Sequence, residues 1–377
     1  MTNHHVSWAG EKRSRPLSFV RNATDSVDDP VHFGKDGQKA LRWIVAAARR
    51  ASGMARKNTW QRRLRYRAEF AVFQSILFIL RSLPVRSCAR LADSIAWFLH
   101  AVLPKKLTRY HVAAQNIRTA FGKETSDADV DQIIHGMWKH LTRMVCEIIQ
   151  LDRRFRLENC NEVLRFYGQE ECVQAVLQDR PVLFLGGHFG NWEISVNTFG
   201  YFGFPMGVVA RDLDNPWLHD WFLRFRESTG NRMISKQGAS SEVVACMEAS
   251  EKAALLGDQD AGKRGVFVDF FGKPASTFKS IALLALQHDA LIVVGGAFRL
   301  PDENQVGSRW RQFELRTQQV LDARDFDDAD GVKKLTQQFT TALEQMIRCA
   351  PDQYFWVHRR WKSEPRIRKP KSDTQAA

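Results

Sequence analysis

Residues 186 to 195 read GGHFGNWEIS. If a strand ends at the first glycines and a helix begins near the asparagine, His188 and Glu193 come within reach of each other. A carboxylate beside a histidine fixes the ring's tautomer and stabilises the imidazolium that forms when the ring takes a proton. That is general-base chemistry. A hydroxyl activated in this way could attack a carbonyl, and the free N–H groups at a helix start could hold the oxyanion that develops. No G-x-S-x-G elbow supplies a nucleophile, and the six cysteines are scattered with no C-x-x-C pair. Direct transfer to an acceptor hydroxyl therefore suits these residues better than a covalent acyl-enzyme. Among eleven histidines a His-x-x-x-x-Glu spacing also arises by chance, and a cap-and-turn role stays open.

The elements around the motif bear on that choice. From about residue 162 onward, apolar runs of strand length alternate with helix-like segments, the signature of an α/β layer fold. The expected architecture is a mixed, mostly parallel central sheet flanked by helices. Candidate strands are PVLFLG (181–186), MGVVAR (206–211), KAALLG (252–257), LIVVGGAF (291–298) and FELRTQQV (313–320). Helices are predicted at 215–229, 239–250 and 276–288, the first and third capped by Asn215 and Ser276, and Asn191 is the expected cap after GGHFG. Gly186 and Gly187 would let the chain turn at the carboxyl end of the strand, where open α/β sheets bind ligands. Gly190 would permit close backbone approach.

Ahead of this domain the pattern differs. Residues 1–65 read as a disordered, basic extension, although Ala40–Arg67 has the composition of a basic amphipathic helix on an anionic membrane surface. Residues 66–110 are expected to form a membrane-associated helical hairpin, because the apolar run Phe70–Leu80 is too short to span a bilayer. Residues 111–365 form the α/β domain and 366–377 a disordered tail. The first thirty residues lack the apolar core of a signal peptide, and the scattered cysteines read as reduced thiols, so the catalytic part is expected to stay on the cytoplasmic side. A formal net charge of +13 suits an anionic partner. No zinc-finger spacing or RNA-binding aromatic motif points to nucleic acid.

Other blocks lie in a fixed order around GGHFGNWEIS: QNIRTAFG (115–122), ARDLDNPWL (210–218), LLGDQDAGKRGVFVDFFGKPAST (255–277) and PDQYFWVHRRWK (351–362). The set resembles the lipid A biosynthesis lauroyl/myristoyl acyltransferases of Gram-negative inner membranes, over roughly residues 65–365. The resemblance implies acyl transfer from acyl carrier protein, or acyl-CoA, to a hydroxyl of a phosphorylated lipid A precursor, with His188 as base and Glu193 as its partner. It further implies roles for Arg211, Arg226 and Asp258. The two arginines could grip acceptor phosphates in forked geometry. Asp258 and Asp260 could shape the acceptor site, a metal site being the weaker reading, since the family needs no metal and no third ligand accompanies them. Lys263, Arg264 and Lys279 could add positive charge there. No cofactor is expected. Another membrane glycolipid, such as a phosphatidylinositol mannoside, or an aminolipid is the alternative acceptor.

Overall fold

The computed structural model describes residues 59–236, 239–302 and 312–365. Most of the expected N-terminal extension and all of the tail after residue 365 lie outside the described residues. The described residues from Tyr66 onward form one compact unit. Of the unit before it, only Thr59–Arg65 are described, as the opening turns of α1 (Thr59–Ser82). The first helix thus begins inside the stretch read as a disordered extension.

A Pro84 entry turn separates α1 from α2 (Val85–Trp97), which runs into a five-residue π turn, Phe98–Val102. The sequence suggested two short helices, but α1 is continuous for 24 residues. Alternating Cys88, Ala89, Ala92 and Ala96 bury a small-residue face of α2. After α3 (Tyr110–Phe121) comes the long α4 (Asp127–Arg154), capped by Ser126, whose hydroxyl oxygen accepts the Asp129 amide. Asp93 of α2 receives a bidentate pair from Arg143 of α4 at 2.6 Å each. Gln150 of α4 donates to the carbonyls of Leu80 and Leu83, so the end of α1 is tied to the same helix. On the other side of α1 and α2, large apolar side chains face outward, among them Ile76, Phe78, Ile79, Ile95 and Trp97. No helix among the described residues is long and apolar enough to cross a membrane.

The α/β layers follow. In chain order they are β1 (Leu164–Tyr167), α5 (Gln169–Leu177), β2 (Val182–Gly186), α6 (Trp192–Tyr201), β3 (Gly207–Ala210), α7 (Pro216–Glu227), β4 (Arg232–Ser235), α8 (Ala239–Glu248) and β5 (Lys252–Leu256). A two-stranded ribbon of β6 (Val266–Phe270) and β7 (Lys273–Thr277) precedes α9 (Lys279–Gln287), β8 (Leu291–Arg299), β9 (Phe313–Asp322) and α10 (Gly331–Cys349). The main sheet has the order β1-β9-β8-β2-β5-β3-β4. Its pairings are parallel except for β8 with β9. The mixed, mostly parallel sheet expected from the alternation is therefore present. Its central strand β2 is apolar throughout because both faces are covered, as parallel sheets require.

The caps follow sequence at two of three places. Asn191 accepts the Ile194 amide and Asn215 the Trp217 and Leu218 amides. Ser276 is not a cap: it and Thr277 end β7, and α9 starts only at Lys279.

Candidate active site

The strand register builds the site. β2 and β5 pair parallel with Gly186 opposite Leu256, and the Gly257 amide donates to the Gly186 carbonyl at 2.9 Å. His188 and Asp258 stand two residues beyond these paired positions, so the register carries them side by side past the carboxyl edge of the sheet. Asp258 Oδ2 accepts the His188 backbone N–H at 2.9 Å, and Oδ1 lies 2.9 Å from His188 Nδ1. The Tyr354 hydroxyl is buried close enough to feel the same carboxylate's charge. An ionised carboxylate only accepts, so Nδ1 carries the proton and Nε2 presents its lone pair. The Gln259 amide nitrogen sits 3.3 Å from that Nε2.

Electrostatics agree with this assignment. Burial alone would lower the His188 pKa, but the charge and hydrogen bond of Asp258 outweigh it, and the ring titrates above its ordinary value. Burial works against the Asp258 carboxylate too, yet His188 and the backbone donors hold it below the usual carboxylate range. Burial pushes the Tyr354 hydroxyl well up, and the neighbouring Asp258 charge adds to the effect, so it stays a proton donor. Trp192 and Phe355 flank the imidazole at 5.5 and 6.2 Å between centroids.

Several expectations change at this point. Glu193 does not reach His188. Both its oxygens are taken by Arg226, Nε to Oε2 at 3.1 Å and Nη2 to Oε1 at 2.6 Å. Gly190 permits this geometry: its φ is +58°, and a Cβ there would collide with the Ala297 carbonyl oxygen. The left-handed turn swings α6 so that Glu193, in its first turn, meets α7 rather than the histidine. Arg226 thus spends Nε and Nη2 on Glu193, and it also lines the cavity described below. Asp258 is hydrogen-bonded to His188 through both carboxylate oxygens. Asp260 braces the C-terminal segment: its carboxylate accepts the Gly262 amide and the Ser363 amide and hydroxyl. His358 takes a structural place beside it, accepting the Asp260 amide at 3.4 Å. Arg211 is 80 % exposed, with Asp214 3.9 Å away. Lys263, Arg264 and Lys279 are exposed, and no contact joins them to His188 among the described residues. No group of three His, Cys, Asp or Glu side chains among the described residues is placed to hold a metal ion.

Beside the turn opens a cavity of about 740 Å³ whose wall includes Gly186, Gly187 and Trp192. The rest is largely apolar, with Val176 of α5, Phe184 of β2, Phe199 of α6, Met206, Val208 of β3 and Ala254 of β5 among its lining residues. Its size falls in the range of small-molecule sites. Its walls come from strands β1, β2, β3, β5, β8 and β9 and helices α5, α6 and α7, so no local stretch of sequence marks it.

The sequence blocks converge here as well. The Gly190 amide donates to the Gln353 carbonyl, the Phe355 amide donates to the His188 carbonyl, and Asn116 of α3 donates to the Trp356 and His358 carbonyls. The model of the bacterial lipid A biosynthesis acyltransferases matches residues 54–363. The chain belongs to that family. It is 28% identical over 212 residues to the lipid A biosynthesis lauroyltransferase of Escherichia coli K12, a match covering 56% of this chain and 64% of that protein. A lipid A biosynthesis acyltransferase of Haemophilus influenzae is 22% identical over 285 residues, covering 74% of this chain and 83% of that one. A phosphatidylinositol mannoside acyltransferase of Mycobacterium tuberculosis is 27% identical over 185 residues, covering 47% and 53%. Two of these matches thus span less than two thirds of the relatives' own length.

Proposed function

We propose that the protein transfers a fatty acyl chain from a thioester donor to a hydroxyl of a lipid A-like glycolipid, with His188 as general base. The observation that carries this reading is the Asp258-held imidazole, its Nε2 lone pair directed away from Asp258 and its turn walling a large apolar cavity. His188 Nε2 takes the hydroxyl proton, and the oxygen attacks the thioester carbonyl. The tetrahedral intermediate collapses with cleavage of the carbon–sulfur bond, and the thiolate leaves with the proton from the imidazolium. Asp258 stabilises that imidazolium. The adjacent start of α6 contributes the positive end of its dipole where the oxyanion develops.

The cavity accepts the acyl chain. Acyl carrier protein is the donor of this reading, coenzyme A being the alternative, since both are acidic and the chain carries +13. The exposed apolar residues of α1 and α2 rest in one leaflet of the inner membrane on its cytoplasmic face, bringing the lipid acceptor to the site. A phosphatidylinositol mannoside-type acceptor is the second reading, supported by the mycobacterial relative.

The decisive test is H188A, purified and supplied with an acyl carrier protein thioester and lipid A precursor. A loss of about 10³-fold or more in kcat is expected. Activity within a few-fold of wild type would overturn the mechanism. Lipid profiling of a deletion strain separates the acceptors: one acyl chain is lost from lipid A only under the first reading.

The cavity gives a further prediction. Ala254 lies on β5 opposite Phe184, and both line the cavity. A254F should fill part of the space. Each displaced methylene forfeits about 0.8 kcal/mol, roughly a fourfold effect, so the preferred donor should shorten by about two carbons or more. An unchanged preference across a series of saturated thioesters would place the chain elsewhere.

A further inference from the structure

Behind the turn that carries His188 lies a buried polar cluster that takes no part in the chemistry above. Arg299, at the end of β8, is 7 % exposed, Glu147 of α4 is 4 % and His140, two turns earlier on α4, is 3 %. Arg299 donates Nε to Glu147 Oε1 at 3.1 Å and Nη2 to Oε2 at 2.5 Å. Its Nη1 donates to Nδ1 of His140. A guanidinium has only donors, so Nδ1 of His140 must be the acceptor and Nε2 must carry the proton. That Nε2–H donates to the Gly190 carbonyl at 3.0 Å. Glu147 Oε2 meanwhile accepts Nδ2 of the fully buried Asn191 at 3.0 Å.

The cluster therefore holds both residues of the turn directly after Phe189. Burial and the neighbouring Arg299 charge push the His140 pKa well down, so the neutral tautomer persists across the working pH range. A surface pair would not need such arrangement. An uncompensated buried ion pair costs several kcal/mol in desolvation, and here each charge is satisfied by partners on the turn and its neighbours.

We propose that His140, its tautomer fixed by the Arg299–Glu147 pair, is a positioning residue for catalysis: its Nε2–H on the Gly190 carbonyl sets the left-handed turn that presents His188 to the acceptor hydroxyl. This rests on the reading of His188 as base. Misplacement of a catalytic group by about 1 Å costs up to about 10²-fold in rate while leaving remote binding contacts intact.

The test compares H140A, H140Q, N191S and H188A in the full-length protein, with an acyl carrier protein thioester and lipid A precursor. H140A should lower kcat by about tenfold or more, with KM for both substrates within about twofold of wild type. H140Q restores a donor for Gly190 and an acceptor for Arg299, and should recover kcat to within about threefold. N191S keeps a cap oxygen for Ile194 but gives up the amide donated to Glu147. It should lower kcat severalfold with only a modest fall in denaturant midpoint, because Glu147 keeps both Arg299 contacts, and so provides the test if H140A fails to fold. Wild-type kcat in folded H140A or in N191S, or no recovery in H140Q relative to folded H140A, overturns the proposal. If H188A is inactive while H140A is normal, the positioning role alone fails. If H188A itself retains activity, the reading of His188 as base fails first.

Discussion

Replacing Asp258 with asparagine is expected to reduce kcat by about 10³- to 10⁴-fold, the scale set when the carboxylate behind a catalytic histidine is removed. The pH profile should change as well. If His188 is the base, as proposed, it acts only when neutral, so activity rises with pH through its pKa, which Asp258 holds above the ordinary value of 6.5. In D258N the attraction to the imidazolium is gone while burial, which disfavours the charged ring, remains. The acid limb of kcat/KM must then move to lower pH, even as the plateau collapses. Asparagine can also present its amide nitrogen to Nδ1 and favour the wrong tautomer, which accounts for a loss larger than the electrostatic change alone. Rates measured between about pH 5 and 9 check both parts. A limb that stays in place would mean that another group sets it, and His358, which burial holds below its ordinary value, is the nearby candidate.

How far the sequence reached is best judged at this same pair. The strands were legible because fully buried parallel strands are continuous apolar runs, and VLFLG and KAALL have no competing helical period. His188 was legible because three glycines mark the end of such a run. Its partner was not, since spacing along the chain favours Glu193, whereas the sheet brings together residues seventy apart. Asp258 was visible as a strand-end carboxylate, and the signal that would have paired it is register: GG-His and LG-Asp both stand at the ends of apolar runs that a parallel sheet sets side by side. Tyr354 and the cluster of His140, Glu147 and Arg299 gave no local signal. They come from a terminal turn, the middle of a long amphipathic helix and the end of a strand, and only packing joins them. The hairpin boundary failed for another reason. Thr59–Arg65 is basic enough to read as solvated linker, yet it carries helix-forming residues continuous with α1, and propensity there is not interrupted by glycine or proline.

Arg226 yields the second large effect. Its side chain is 23 % exposed and that of Glu193 8 %, so the pair is mostly out of water. Burial lowers the arginine's pKa, but the Glu193 carboxylate more than offsets that, and the guanidinium is held charged. R226M strands a buried carboxylate and should cost about 3 to 5 kcal/mol, read as a lower denaturant midpoint. Adding E193Q to R226M removes the orphaned charge and should recover a substantial part of that loss, because the large penalty comes from the unpaired ion and not from the pair's own net attraction. The kinetic arm separates this role from the phosphate grip that sequence alone suggested. An arginine that binds acceptor phosphate would leave KM for the glycolipid raised by about tenfold or more in both the single and the double variant, since neither restores a cation. An arginine that anchors α6 through Glu193 leaves the double variant with near wild-type KM. The bidentate contact to Glu193 favours the second outcome, and with it a site in which Glu193 steadies the helix behind His188 while Asp258 is the carboxylate that holds the imidazole.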